Sequence, residues 1–483
     1  METLNSCNTA SLVLYTDIAT NPWDIGKVRH LLRRLGYGLD QAQEAIALTQ
    51  VPDVFIENYI NTAANYAVSP APSWAFWSAS DYTNLNTERT AQIQQWYAQV
   101  FNDTINLDFR ARMTLFWHNH FVTRIDDYQA PSWMYQYYNL LQTHALGNFK
   151  TLTKEMGKNE SMLVFLNGVL NNRFNPNENY ARELLELFTL GENNNYTQTD
   201  VVEASRALTG YNNFTELGAP IVFQQATFDD TPKTIFGATA NYNHDSLIDH
   251  LFAVRANEIS DFIVKKIYRA FVSPELPTQN IIDQLALTFR NANWEIQPVV
   301  KQLFKSEHFF DPEARATVIK DPLDCLVIFI KEANFNFPQI SLNTLFYFTS
   351  ILGQRYFNPV DVAGWQGDRD WINSSTITGR WQAQEYIMWT MWNIDQELFR
   401  NIALDNSASL NDPAVIAKDI VDRLVPQSLY TASDYALATT VFKGDVPENY
   451  YTTMQWNLNW GSVPFQVILL LQHIFRMPEF QLK

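Results

Sequence analysis

The chain has 483 residues, a formal net charge of −17, 46% apolar residues and 14% aromatic residues. This length fits two or three domains or one large helical assembly, and the aromatic residues can build a large core. The negative charge argues against nucleic acid and against anionic membrane surfaces as partners. Two cysteines, Cys7 and Cys325, are too few for a disulfide scaffold.

The N-terminal segment METLNSCNTASLVLY has no basic region, and its apolar run is too short for a signal peptide. No apolar run in the chain reaches 18 residues, so we expect no transmembrane segment. On the sequence alone the protein is expected in the cytoplasm. If a leader has been removed, it is expected to be exported or periplasmic.

Helical patterns dominate in chain order. Five helical segments are predicted in the early part of the chain: 24–35, 41–49, 52–61, 87–121 and 132–145. The segment 24–35 is a basic helix, and the segment 87–121 forms one or two long helices. Apolar residues among Pro and Gly between 219 and 243 predict a loop or small β-hairpin. Helices then resume at 246–255, 258–271, 278–291 and 295–305. The predicted fold class is all-α, a large multi-helix assembly with this small irregular or β-hairpin insertion.

The segment 109–121 places His120 on an apolar helix face, together with Phe109, Met113, Phe116 and Trp117. His120 is therefore expected to be buried. His118 lies about 200° away on a regular helix, so the two histidines cannot bind one metal ion. A core histidine bonded to a carbonyl or carboxylate is one interpretation. The other is a ligand or acid–base role, supported by Glu178 or Glu186 from a neighbouring helix.

The segment 175–191 has the signals of a complete helix. Asn175 suits the N-cap, Pro176 suits the first position, Glu178 suits the third, and Gly191 follows the last apolar residue. Apolar residues occupy one broad arc. The other arc carries Glu178, Asn179, Arg182, Glu183 and Glu186.

This polar arc has two interpretations. It is either a solvated surface with i,i+4 pairs from Arg182 to Glu178 and Glu186, or a buried cluster in which Arg182 orients the carboxylates. Burial would perturb the carboxylates and mark a functional site. Only burial separates the two interpretations.

The next segment repeats this construction. Residues Thr197 to Asp200 predict a capping box, and Gly210 is predicted to end the helix. Because only the short run 192–196 separates the two helices, they are expected to pack as an antiparallel pair.

A glycine-rich segment near residue 365 offers a different kind of site. It combines two tryptophan faces with carboxylates and an amide, which suit a polar, ring-shaped ligand such as a sugar. The predicted substrate-binding residues are Trp365, Asp368, Asp370, Trp371 and Asn373. The alternative is a structural loop whose tryptophans anchor it to the core.

Six stretches carry a family resemblance: RHLLRRLGYG (29–38), RMTLFWHNHF (112–121), HALGNFKTL (144–152), PNENYARELLELFTLGE (176–192), YTQTDVVEASRALTGY (196–211) and LGQRYFNPVDVAGWQGDRDWINSSTITGR (352–380). Together they make the chain similar to the bacterial family called domain of unknown function 1800. The resemblance implies a mostly helical protein, often exported and often encoded beside a sulfatase-like partner. It implies no established reaction. Where the family usually has a histidine before a Lys-Thr turn, this chain has Asp229.

The predicted organisation has three parts: an N-terminal extension (1–22), a helical core that resembles the family (23–381), and a C-terminal helical layer packed on it (382–483). A single metal ion is one candidate cofactor. The sequence has no nucleotide or haem motif, and no Glu-x-x-His spacing of the kind used by di-iron bundles.

Two functional hypotheses follow. The first is an enzyme that hydrolyses or transfers a carbohydrate-type or sulfated substrate, such as a polysaccharide, with a sulfatase-like protein as the partner implied by the family. Glu178, Glu183 or Glu186 would act as general base or metal ligand. Arg182 would bind an anionic group, and His120 would transfer protons. The other hypothesis is a non-catalytic α-helical binding or assembly scaffold with a rigid internal polar network.

Overall fold

The computed structural model describes residues 11–483. Within this range it contains 23 α-helices and one two-stranded sheet, which confirms the predicted all-α class. No helix between residues 11 and 483 is both long enough and apolar enough to cross a membrane. Cys7 lies outside the described residues, and Cys325 is buried with a free thiol.

Eleven α-helices lie between residues 25 and 207. They are α1 Ile25–Leu35, α2 Gln41–Leu48, α3 Pro52–Asn65, α4 Leu85–Asn106, α5 Asp108–His120, α6 Ile125–Tyr128, α7 Pro131–Thr143, α8 Phe149–Met156, α9 Glu160–Phe165, α10 Asn179–Glu183 and α11 Gln198–Ala207. A π-helix, Leu184–Thr189, continues α10 directly.

Twelve more α-helices lie between residues 244 and 475. They are α12 His244–Val254, α13 Ala256–Phe271, α14 Gln279–Asn291, α15 Ile296–Phe304, α16 Pro322–Glu332, α17 Leu342–Ile351, α18 Ser374–Ile394, α19 Glu397–Asn406, α20 Pro413–Leu424, α21 Ala432–Lys443, α22 Glu448–Thr452 and α23 Val463–Phe475.

The predicted insertion is a β-hairpin. Strands β1 (Lys233–Ile235) and β2 (Ala238–Ala240) pair antiparallel, with Thr234 opposite Thr239. The strands lie within 219–243, as predicted, and β1 packs against α11.

The helix predicted to begin at Pro176 begins three residues later. The side chain of Asn172 accepts the backbone N–H groups of Phe174 and Asn175, and Asn177 accepts that of Asn179. These local turns use the asparagine side chains, so the backbone does not become helical at Pro176. The predicted N-cap at Asn175 and the third helical position predicted for Glu178 were therefore wrong, because Glu178 directly precedes the first helical residue.

Helix α5 is the centre of the fold. It buries ten of its thirteen residues and packs against α1, α3, α4 and α7. Such burial all round is typical of a core helix. The long segment 87–121 thus forms two helices, α4 and α5, with Leu107 between them.

Helix α1 connects the beginning of the chain to its last third. The Arg33 guanidinium forms a buried bidentate ion pair with Glu332, at 2.6 and 2.9 Å. It also donates to the carbonyl oxygens of Arg423 and Val425, at 2.6 and 2.9 Å. Arg29 and Arg423 share the carboxylate of Glu44. The basic face of α1 is therefore an internal polar network.

The three-part organisation stays a prediction. Helix α18 runs without interruption through residue 381, where the C-terminal layer was expected to begin. Helices α19, α20, α21 and α23 pack mainly on one another, and α20 also contacts α16.

Candidate functional site

A cavity of about 560 Å³ opens between α5, α13 and the loop that precedes α18. Its lining contains four lysine or arginine side chains but only two carboxylates, Asp321 and Asp368, and we therefore call it the cationic pocket. The residues that line it include Arg112, His120, Lys266, Arg269, Trp365 and Trp371.

The tryptophan loop (residues 358–371) is held against α5 by Asn119. The Asn119 side chain accepts the Trp365 N–H at 2.7 Å and donates to the Trp365 carbonyl at 3.1 Å. Gly364 has a φ of +82°, and a Cβ there would lie 2.3 Å from the Asn119 Oδ1 atom. Only glycine permits this close approach in this backbone conformation.

His118 fixes the same loop from inside the core. Its ring stacks on Trp365, with ring centroids 5.3 Å apart and planes 3° apart, and its Nε2 accepts the Phe357 N–H at 2.9 Å. Burial lowers the pKa of His118 to about 3. A neutral imidazole that accepts a backbone N–H has a structural role here.

His120 is buried, as its helix position predicted. Its Nε2 lies 3.0 Å from the carbonyl oxygen of Phe188, and its Nδ1 lies 3.0 Å from the Lys266 ammonium. Burial, and then the charge of Lys266, hold the pKa of His120 well below its usual value. His120 is therefore a neutral acceptor for Lys266, and it contacts no carboxylate in the part of the chain that the structure describes.

Lys266 and Arg269 lie one turn apart on α13 and form the basic wall of the cationic pocket. Within residues 11–483 no carboxylate lies within ion-pair distance of either side chain, and Arg269 makes no hydrogen bond. Burial, and then the charge of Arg269, lower the pKa of Lys266 to about 8. Two neighbouring cations without counter-charge are a ready anion-binding wall.

The other two cations of the lining, Arg112 and Lys483, are already paired. Arg112 donates to Asp324 at 2.5 Å and stacks over the Tyr37 ring at 3.8 Å. Lys483 also pairs with Asp324. Burial, and then the charge of Asp324, raise the pKa of Asp321. The lining therefore contains a carboxyl group that retains a proton more readily than usual.

The predicted sugar-binding residues separate into two groups. Trp365, Asp368 and Trp371 line the cationic pocket. Asp370 is exposed outside it, and Asn373 caps α18 by accepting the N–H groups of Ser375 and Thr376. A local capping role accounts for Asn373, and the binding roles of the other residues stay predictions.

The polar face of α10 and the π-helix lies at the surface. Arg182 donates to Glu178 at 3.0 Å and to Glu186 at 3.1 Å, and the three side chains are 37%, 38% and 21% exposed. Glu183 is half-buried, and burial, and then the charge of Glu186, raise its pKa. None of the four side chains lines the cationic pocket.

The charged side chains of this polar face were expected to lie beside His120, and they do not. His120 contacts the same segment from its buried side, through the Phe188 carbonyl. The expectation failed because the carboxylates point away from α5, on the arc opposite to Phe188. Catalytic roles for Glu178, Arg182, Glu183 and Glu186 stay predictions, without a contact to the histidine.

Metal-ligand geometry is missing from the described part of the chain. Residues 11–483 contain no group of three or more His, Cys, Asp or Glu side chains placed to hold a metal ion.

Asp229, at the position of the family's histidine, pairs with Arg206 at 2.8 Å. Burial opposes its ionisation, but hydrogen bonds from Thr231 and Arg206 keep the pKa of Asp229 at about 2.

The sequence patterns did not identify three residues of the cationic pocket: Lys266, Arg269 and Asp321. Lys266 and Arg269 lie on the predicted helix 258–271, where an i,i+3 pair of cations is typical of an ordinary solvated surface. Their lack of acidic partners is a tertiary property. One sequence feature pointed to the cationic pocket: Arg112 and His120, which both line it, lie in the same family stretch.

The chain belongs to the family described as "Protein of unknown function (DUF1800)", whose model matches residues 30–482. The match continues beyond residue 380 and includes the C-terminal helices. Neither the curated proteins nor the solved structures contain a significant match.

Proposed function

We propose that this member of the DUF1800 family binds an anionic carbohydrate-type ligand, such as a sulfated sugar, in the cationic pocket. One observation carries the proposal: Lys266 and Arg269 face the cavity, and no carboxylate of residues 11–483 pairs with them. In a chain of net charge −17, acidic partners are abundant. Two cations left unpaired at a cavity are therefore suited to an external anion.

The remaining walls suit the ring of a sugar. Trp365 and Trp371 provide aromatic surface, and Asn119, Asp368 and Asp321 provide polar groups around it. Pockets for small ligands typically measure about 300–1,000 Å³, so this cavity can hold one or two sugar rings. Sulfate or carboxylate groups on such a ring would lie against Lys266 and Arg269.

Hydrolysis or group transfer is the chemistry that this arrangement favours. Asp321 has a raised pKa and lines the cavity. Its Oδ1 atom caps α16 by accepting the Asp324 N–H at 2.8 Å, and its Oδ2 atom, 3.9 Å from Arg112, is the candidate general acid or base. Lys266 and Arg269 would stabilise negative charge that develops on the ligand. A sulfatase-like partner, suggested by family association, fits a sulfated substrate and stays a prediction.

A non-catalytic scaffold is the alternative candidate. The observation that favours it is the internal ionic network of Arg29, Arg33, Arg423, Glu44 and Glu332. Such a network fixes helices relative to one another without contacting a ligand. A scaffold of this kind does not require unpaired cations at a cavity.

Calorimetric titration tests the proposed function. The probe is a sulfated disaccharide from chondroitin sulfate, and the comparison ligand is its desulfated counterpart. We expect the sulfated form to bind more tightly. We expect the double variant Lys266→Met/Arg269→Gln to lose about tenfold or more in affinity, since charge-assisted hydrogen bonds contribute roughly 1.5–3 kcal/mol.

Lys265→Gln is the matched control. It lies on the same helix and removes one positive charge where the double variant removes two, but its ammonium pairs with Asp261 at 2.7 Å and does not line the cationic pocket. Its affinity should equal that of the unmodified protein. Equal binding of both disaccharides, or equal loss in the control and the double variant, would reject the proposed function.

A further inference from the structure

The tautomer of His120 is fixed by its backbone contact. A carbonyl oxygen only accepts hydrogen bonds, so the His120 Nε2 that lies 3.0 Å from the Phe188 oxygen carries the proton. The Nδ1 atom therefore has a lone pair and no hydrogen. The Lys266 Nζ lies 3.0 Å from this lone pair and must be the donor.

This contact orients the amine of Lys266 towards the cavity. When Lys266 is neutral, one N–H is directed to His120, and the nitrogen lone pair cannot point there because Nδ1 has no hydrogen to donate. The lone pair and the other N–H are left for the cationic pocket, which Lys266 lines, and for the Phe262 ring, whose centroid lies 5.1 Å from the Lys266 Nζ. His120 thus positions the Lys266 nitrogen.

Lys266 differs from the other lysines of the described residues. Eleven of the fourteen lysines in this range pair with a carboxylate. The exceptions are Lys233, which donates to the Asp229 carbonyl, Lys320, which is fully buried beneath Phe480, and Lys266. Of these three, Lys266 is the one that lines the cationic pocket.

We infer that Lys266 is a nucleophile that forms an imine with the carbonyl carbon of a small anionic aldehyde or ketone, such as the open-chain form of an acidic sugar. This inference rests on the proposed function, because Arg269 would hold the anionic group beside the reacting carbonyl. A neutral amine is the form that attacks a carbonyl carbon, and a lysine next to another cation supplies it near neutral pH.

The reaction is balanced without an additional reactant. The nitrogen lone pair forms a bond to the carbonyl carbon, and the carbonyl π electrons move to the oxygen. Both hydrogens of the amine pass to that oxygen, which leaves as water as the carbon–nitrogen double bond forms. No group is oxidised or reduced. Addition of water to the imine reverses the reaction.

Reductive trapping tests the inference on the full chain. Glyoxylate is the anionic aldehyde, cyanoborohydride reduces any imine, and peptide mapping by mass spectrometry locates the carboxymethyl group. At about pH 8 we expect Lys266, whose pKa is lowered to about 8, to be labelled about tenfold or more faster than lysines of ordinary pKa. Lys266→Arg, which keeps the charge, should lose this label, and Lys265→Arg should keep it.

A neutral aldehyde and an Arg269 variant extend the labelling experiment. Formaldehyde is a neutral probe, and with it Arg269→Gln should shift the pH midpoint of Lys266 labelling upwards, because the Arg269 charge lowers that pKa. Labelling spread evenly over surface lysines overturns the inference. Labelling of Lys266 by formaldehyde but not by glyoxylate overturns its anionic-substrate part. Binding of the sulfated disaccharide without any Lys266 adduct overturns the imine chemistry and leaves the proposed function standing.

Discussion

Two charged surfaces of this molecule differ in how their charges are balanced. On the helix that contains Arg182, the guanidinium lies between Glu178 and Glu186 and is balanced within one helix. On α13, Lys266 and Arg269 face a cavity and no carboxylate in residues 11–483 balances them. In sequence the Arg182 helix has the charge density of an active site, whereas α13 has the pattern of an ordinary solvated helix. In this molecule the dense charges of a helix are paired at the surface, whereas the cations without a counter-charge line the cavity.

Disruption of the tryptophan loop should have the largest effect on stability and on ligand binding. In Gly364→Ala the new methyl group would meet Asn119 at a φ of +82°. We expect the free energy of unfolding in urea to fall by about 3 kcal/mol, and binding of the sulfated disaccharide to be lost. Gly461→Ala is the control, since a Cβ there meets nothing within 4 Å. Unchanged stability and binding in Gly364→Ala would show that the loop does not shape the cationic pocket.

The pH dependence of binding should give an effect of intermediate size. The pKa of Lys266 is about 8, so its positive charge is present below that value and is lost as the pH rises through it. Affinity for the sulfated disaccharide should therefore fall by up to about tenfold as the pH rises through 8. Calorimetry across this range measures it, and Lys266→Met should show a flat profile. Affinity that rises with pH would contradict an anion site at Lys266.

The surface pairs of Arg182 should give the smallest effect. Because Glu186 is 21% exposed and Arg182 is 37% exposed, Glu186→Gln should lower the free energy of unfolding by about 1 kcal/mol or less. Glu178→Gln should behave in the same way. Urea unfolding measures both. A loss of several kcal/mol in Glu186→Gln would instead indicate a buried network and would restore this helix as a candidate site.

Local signals in the sequence predicted local structure well. The Thr197 side chain accepts the Asp200 N–H, and the Asp200 side chain accepts the Thr197 N–H, as the predicted capping box requires. The burial of His120 followed from its spacing on an apolar helix face. Both features depend on residues within one or two turns of each other.

Features that depend on distant residues were not predictable. Lys266 lies 146 positions after His120, and no spacing rule connects them. The start of α10 was missed because asparagine side chains near residue 172 satisfy the backbone in turns. The π-helix also has no pattern that separates it from an α-helix in sequence. Its carbonyl at Phe188 nevertheless fixes the tautomer on which the nucleophilic role of Lys266 depends.

The ion pair between Arg33 and Glu332 also affects how the protein can be made. Its two partners are 299 positions apart, and the carbonyl groups that complete the arrangement lie beyond residue 420. A nascent chain on the ribosome exposes α1 long before those partners exist. Its arginines must stay hydrated until these late residues have emerged, so docking of the first helix is expected to be one of the last steps of folding.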